Sequence, residues 1–85
     1  MVEEKIVVHL QRGLQAQGAT EFVKKASTFT SEVNIIKESR VVAGKSIMGV
    51  MCLAIRNGDV VTLRADGEDE RKAIKILGDF LSRKK

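Results

Sequence analysis

The stretch Lys45-Ser46-Ile47-Met48-Gly49-Val50-Met51 places a serine ahead of an apolar run broken by one glycine. Ser46 suits an N-cap, since its hydroxyl can accept a bond from a backbone N–H left unpaired in the first helical turn. The helix behind it, Ile47 to Leu53, carries apolar side chains almost all round. So short a helix in so small a chain does not bury every face, and Ile47, Met48 and Met51 are expected partly at the surface. Methionine adapts to differently shaped partners, which suits a docking face. A phosphate on Ser46 would be welcomed by the free N–H groups and the positive end of the helix dipole. It would add about −1.5 to −2 charge beside that face. The plainer alternative is a serine that only caps, with the helix buried.

Working outward, Glu32 to Ala43 reads as a hairpin: Val33-Asn34-Ile35-Ile36-Lys37, a tight turn at Glu38-Ser39, then Arg40-Val41-Val42-Ala43. Gly44 is expected to free the backbone for the turn into the helix. Downstream the helical pattern runs toward Ala54-Ile55, and Asn57-Gly58 is expected to end it with a turn or left-handed cap. Asp59 to Ala65 alternates, Val61, Leu63 and Ala65 against Val60, Thr62 and Arg64, as a half-buried strand does.

At the front, residues 2–10 alternate in the same way, with Ile6, Val8 and Leu10 inward and Val7 and His9 outward. His9 has no second ligand-type residue at a useful spacing and reads as a solvated strand histidine. The loop Gln11 to Gly18 leads into a helix whose apolar positions are Ala19, Phe22, Val23 and Ala26. Its residues Gln15 and Gln17 can donate and accept hydrogen bonds, but an amide nitrogen has no basic lone pair. The last helix is marked by Ala73, Ile74, Leu77, Phe80 and Leu81, with Glu68, Asp69 and Glu70 at its start and Arg83, Lys84 and Lys85 at its end. The order is βαββαβα. Alternating strands mean one wet sheet face, so the fold is expected to be an α/β open-faced sandwich, a four-stranded antiparallel sheet with three helices on one face.

Eighty-five residues make one domain, 1–85, with a single core. The composition is that of a globular chain, without proline or a low-complexity linker. The acidic start Met1 to Lys5 does not read as a signal peptide, and no apolar run spans a bilayer. The lone Cys52 cannot form an internal disulfide and is expected to behave as a small core hydrophobe. Together these point to a cytoplasmic protein without a membrane role. No metal site, cofactor or catalytic constellation is expected. Net charge is +4, yet there are three Phe and no Trp or Tyr, which disfavours a base-stacking surface and direct nucleic-acid binding.

Gly13-Leu14-Gln15-Ala16, Phe22-Val23, Lys45 to Met51 and Gly67-Glu68-Asp69-Glu70 fall in the order and spacing of the HPr family, which the chain resembles over its full length. Within the family it is most similar to the catabolite-repression HPr-like branch of bacilli. HPr carries phosphate on a first-loop histidine; the matching residue is Gln15, so the resemblance implies loss of the sugar phosphotransferase-system carrier reaction. It implies that Ser46 is the acceptor for the ATP-using HPr kinase/phosphorylase, and that the phosphorylated form is corepressor for a LacI-type catabolite control protein. The implied partner-binding residues are Lys45, Ile47, Met48, Met51, Gln15 and Gln17. The family usually has arginine at the position of Gln17, where it helps contact the transcription factor, and proline at that of Gly18; both changes imply a softer, less basic loop. Members of that branch can exchange their first strand between chains, so the resemblance leaves both a monomer and a homodimer of that kind open. Two other classes compete: a small RNA-binding βα module, motivated by the basic balance, and an acylphosphatase-like enzyme, for which Arg12 with Gln15 or Gln17 would have to grip phosphate.

Overall fold

The structure, a computed structural model, describes residues 1–15 and 17–82. Its elements are β1 (Val2–Val7), α1 (Gln17–Ala26), β2 (Glu32–Lys37), β3 (Arg40–Ala43), α2 (Ile47–Cys52), β4 (Val60–Asp66) and α3 (Glu70–Leu81). The βαββαβα order expected from periodicity is the one observed. All pairings of the four-stranded sheet are antiparallel, in the order β1-β4-β2-β3.

Strand alternation fixes which face meets the core. Ile6, Val33, Ile35, Val61, Leu63 and Ala65 are buried on the inner face. Val7, Val60 and Val41 lie exposed on the outer one, where Arg64 reaches Glu3 across the β1–β4 pair at 3.4 Å. The inner face is covered by α3 over β1 and β4 and by α2 beside β3, while α1 packs on both other helices. Phe22 of α1 and Phe80 of α3 meet at a ring-centroid distance of 6.3 Å. Helix α3 buries Ala73, Ile74, Leu77, Phe80 and Leu81, the positions its spacing marked.

Several expectations are corrected. The first strand stops at Val7 rather than Leu10, because the His9 N–H turns to Leu81 O (2.7 Å) at the end of α3. Helix α2 ends at Cys52, and the left-handed residue after it is Ala54 (φ 50°), not Gly58. Gly58 is left-handed too, but in the turn that leads to β4. Gly44 does not use a left-handed conformation; it lacks a side chain because a Cβ there would stand 2.7 Å from Val33 Cγ1. Cys52 is exposed, since Val50 is the buried residue of α2 and a residue two further on points about 200° round the helix. The basic run Arg83 to Lys85 lies outside the described residues.

Between β2 and β3, Glu38 and Ser39 both have positive φ (51° and 66°), the geometry of a two-residue type I′ hairpin. Asp69 ties the α1–β2 connection to the start of α3. It accepts bonds from the Thr30 N–H (2.9 Å), the Ser31 N–H (3.0 Å) and the hydroxyl of the fully buried Ser31.

Candidate functional site

Ser46 stands in extended conformation (φ −109°, ψ 114°) as the N-cap of α2, and its Oγ accepts the Gly49 N–H at 3.1 Å. The residue is half-buried, so the hydroxyl is engaged without being sealed inside the fold. Beside it Met48 is 77% exposed, Met51 45% and Ile47 42%, while Val50 anchors the helix in the core. An apolar cluster that open, next to a hydroxyl at a helix start, is a surface a partner can cover.

Lys45, the residue before the cap, is exposed, and its ammonium donates to Phe29 O at 2.8 Å in the α1–β2 connection. Lys37, which the sequence did not single out, is bound just past the C-terminal end of α2. Its Nζ donates to Leu53 O and Ala54 O, both at 3.2 Å, and lies 3.0 Å from Asp59 Oδ2. The Arg56 N–H, bonded at 2.8 Å, and then the Lys37 ammonium hold the Asp59 carboxyl below its usual range. No local pattern links Lys37 to α2. The contact exists only because the β2–β3 hairpin is laid beside that helix.

The first loop forms a separate place. Gly13 is left-handed (φ 64°), and a Cβ there would collide with Ile55 O, so the loop backbone lies directly on that carbonyl. The Leu14 N–H donates to Ile55 O (3.0 Å), and the Leu14 side chain is fully buried. Gly18 in turn leaves no room for a Cβ, which would sit 2.7 Å from Gly13 O. Both glycines thus let the loop backbone pack closely. Gln15 and Gln17, both exposed, line a cleft of about 310 Å³ with Arg12, Glu21 and Phe80. Amides and one guanidinium can hold a polar group there, but neither amide can take up a phosphoryl group and pass it on. Among the described residues no cluster of three His, Cys, Asp or Glu could hold a metal ion, and no helix is long and apolar enough to cross a membrane.

Sheet order, helix placement and the two helix-leading loops define an open-faced α/β sandwich of the HPr type. The chain belongs to the HPr family: the model described as the PTS HPr component phosphorylation site matches residues 2–83. It is 47% identical over 81 residues to the HPr-like protein Crh of Bacillus subtilis, covering 95% of each chain. The HPr of Thermoanaerobacter tengcongensis superposes with a TM-score of 0.92 at 43% identity, over 95% of this chain and 91% of that one. The crystal structure of Bacillus subtilis Crh, described as a domain-swapped dimer, gives 0.80 at 45% identity, over 100% and 98%.

Proposed function

We propose that this protein is a regulatory phosphoprotein of carbon catabolite repression, modified on Ser46 by HPr kinase/phosphorylase and unable to serve as a phosphotransferase-system carrier. The observation that carries the reading is the half-exposed Ser46 hydroxyl at the start of α2, beside the open Ile47, Met48 and Met51 cluster. The similarity to proteins named Crh supports it. In the reaction Ser46 Oγ attacks the γ-phosphorus of ATP on the kinase, ADP leaves, and the serine proton passes to the kinase. This chain supplies the acceptor and the docking face and is no enzyme.

The phosphoserine adds charge where the free N–H groups of α2 already favour an anion. Phosphorylation therefore changes the chemistry of the docking face without requiring the helix to melt. The modified face then meets the LacI-type catabolite control protein, to which the first loop offers the amides of Gln15 and Gln17 in place of titratable or cationic groups. The setting is the cytoplasm, where kinase and ATP are present. β1 is an edge strand held by a ladder to β4 and by the N-terminal ammonium on Glu70 (3.1 Å). A second copy offering the same strand could complete the sheet, and the swapped Crh dimer supports a homodimer of that kind.

Incubation with HPr kinase/phosphorylase and ATP is expected to give a single phosphoserine, absent from Ser46→Ala. With phosphoenolpyruvate and the general phosphotransferase enzyme, the chain is expected to remain unlabelled. A phosphate on another residue in the first experiment, or a labelled chain in the second, overturns the reading.

A further inference from the structure

Helix α2 has six residues, too few to hold its own shape in water, and Val50 is its buried anchor. Its Ser46 end is fastened by its own cap and by the Val50 N–H on Ser46 O (3.0 Å). The far end closes on its own backbone. The Leu53 and Ala54 N–H groups close back on Val50 O (3.3 Å) and Met51 O (3.1 Å), and Ala54 then turns left-handed. The carbonyls of Leu53 and Ala54 are the two that meet the Lys37 ammonium, at 3.2 Å each. The Lys37 side chain is 19% exposed and that of its partner Asp59 30%, and the bond to Leu53 O is partly buried while that to Ala54 O is open to solvent. A cation at this end also complements the helix dipole. Asp59 is itself fixed by the Arg56 N–H, so one ammonium joins β2, the end of α2 and the turn before β4.

We propose that Lys37 is the positioning residue of the docking helix, fastening its C-terminal end so that Met51 is presented in fixed relation to Ser46. The inference rests on the reading that α2 docks the kinase. Lys37 lies on the strand behind the helix and acts through it. Loss of the clamp should therefore loosen the Met51 end while the acceptor, held by its own cap, stays in place.

The test is Lys37→Met, followed by amide hydrogen exchange and by phosphorylation kinetics with HPr kinase/phosphorylase. Exchange at Leu53 and Ala54 is expected to rise about tenfold, with Gly49 and Val50 changed by less than about twofold. KM for the protein substrate should rise about fivefold with kcat nearly constant, because docking is weakened and the reacting hydroxyl is not. Lys37→Arg, which keeps donors for both carbonyls, is expected to restore both readouts. Asp59→Asn should give a smaller change in the same direction, and it carries the test if Lys37→Met fails to fold. Unchanged exchange at Leu53 and Ala54, or faster exchange with an unchanged KM, overturns the proposal. If wild-type protein is not phosphorylated on Ser46, the docking reading falls and this inference with it. If wild-type is phosphorylated and the variants behave as wild-type, only the clamp falls.

Discussion

Helices α2 and α3 both begin on a polar cap, and the two caps hold different things. Ser46 Oγ stays within its own helix, on the Gly49 N–H. The Asp69 carboxylate makes no bond to the helix it precedes and reaches back to Thr30 and Ser31, 39 and 38 residues away in sequence. The helices differ to match. α3 has twelve residues, six of them buried, and is built into the core. α2 has six, of which Val50 is buried, and it turns Ile47, Met48 and Met51 outward. A helix secured by its packing can lend its cap to the rest of the fold. One that displays its apolar side chains must be fastened at both ends by polar groups.

The largest effect expected from this contrast is in α3. Leu77 is fully buried, and Leu77→Ala removes packed methyl groups and leaves a cavity. Urea denaturation should show a loss of about 2–5 kcal/mol, a large part of the about 5–15 kcal/mol that holds a domain of this kind together. A loss below about 1 kcal/mol would mean that α3 is not held mainly by its core face.

The next effect is on pH dependence. The Ser31 hydroxyl, then the Thr30 N–H and the Ser31 N–H, hold the Asp69 carboxyl at about 2, against an ordinary value of 3.8. Its stabilising contribution is therefore complete above 3.8 and disappears as pH falls through about 2, since the unfolded chain takes up the proton first. Melting temperature should fall from pH 5 to pH 2, and Asp69→Asn should flatten that fall. Glu70, lowered by the Gly67 N–H and then by the N-terminal ammonium, and Asp59 preserve part of the slope. An Asp69→Asn profile parallel to wild-type would show that the Asp69 bridge does not form in solution.

Sequence order made some of this legible and hid the rest. Strand alternation and the Ala73 to Leu81 spacing are local signals, and they marked the sheet faces and the buried side of α3 without knowledge of topology. The Ser46 cap and the open Met48 face were legible for a related reason: a helix apolar all round cannot hide every side in a chain this small. What was missed depends on distant segments being brought together. Nothing near Asp69 announces Ser31, and nothing near Lys37 announces the carbonyls of Leu53 and Ala54. Cys52 was misread because apolar content does not say which way a short helix is turned. That was settled by Val50 facing the core.

The smallest expected effect on stability is also the one that most sharpens the contrast. At 77% exposed, Met48 has little to lose from truncation in the folded chain. Met48→Ala should leave urea stability within about 0.5 kcal/mol of wild-type, as surface changes away from caps and cavities generally do. Alanine also has the higher helix propensity, which leans against any loss. The same substitution should weaken docking of the kinase about tenfold if Met48 fills a pocket on that partner, since a few central side chains dominate most interfaces. Phosphorylation measured against protein concentration would show this as a raised KM at an unchanged kcat. Stability and docking would then separate on α2, whereas on α3 Leu77→Ala acts through stability alone. Were Met48→Ala to cost more than about 1 kcal/mol, the side chain would be supporting the fold, and α2 would be a core helix like α3.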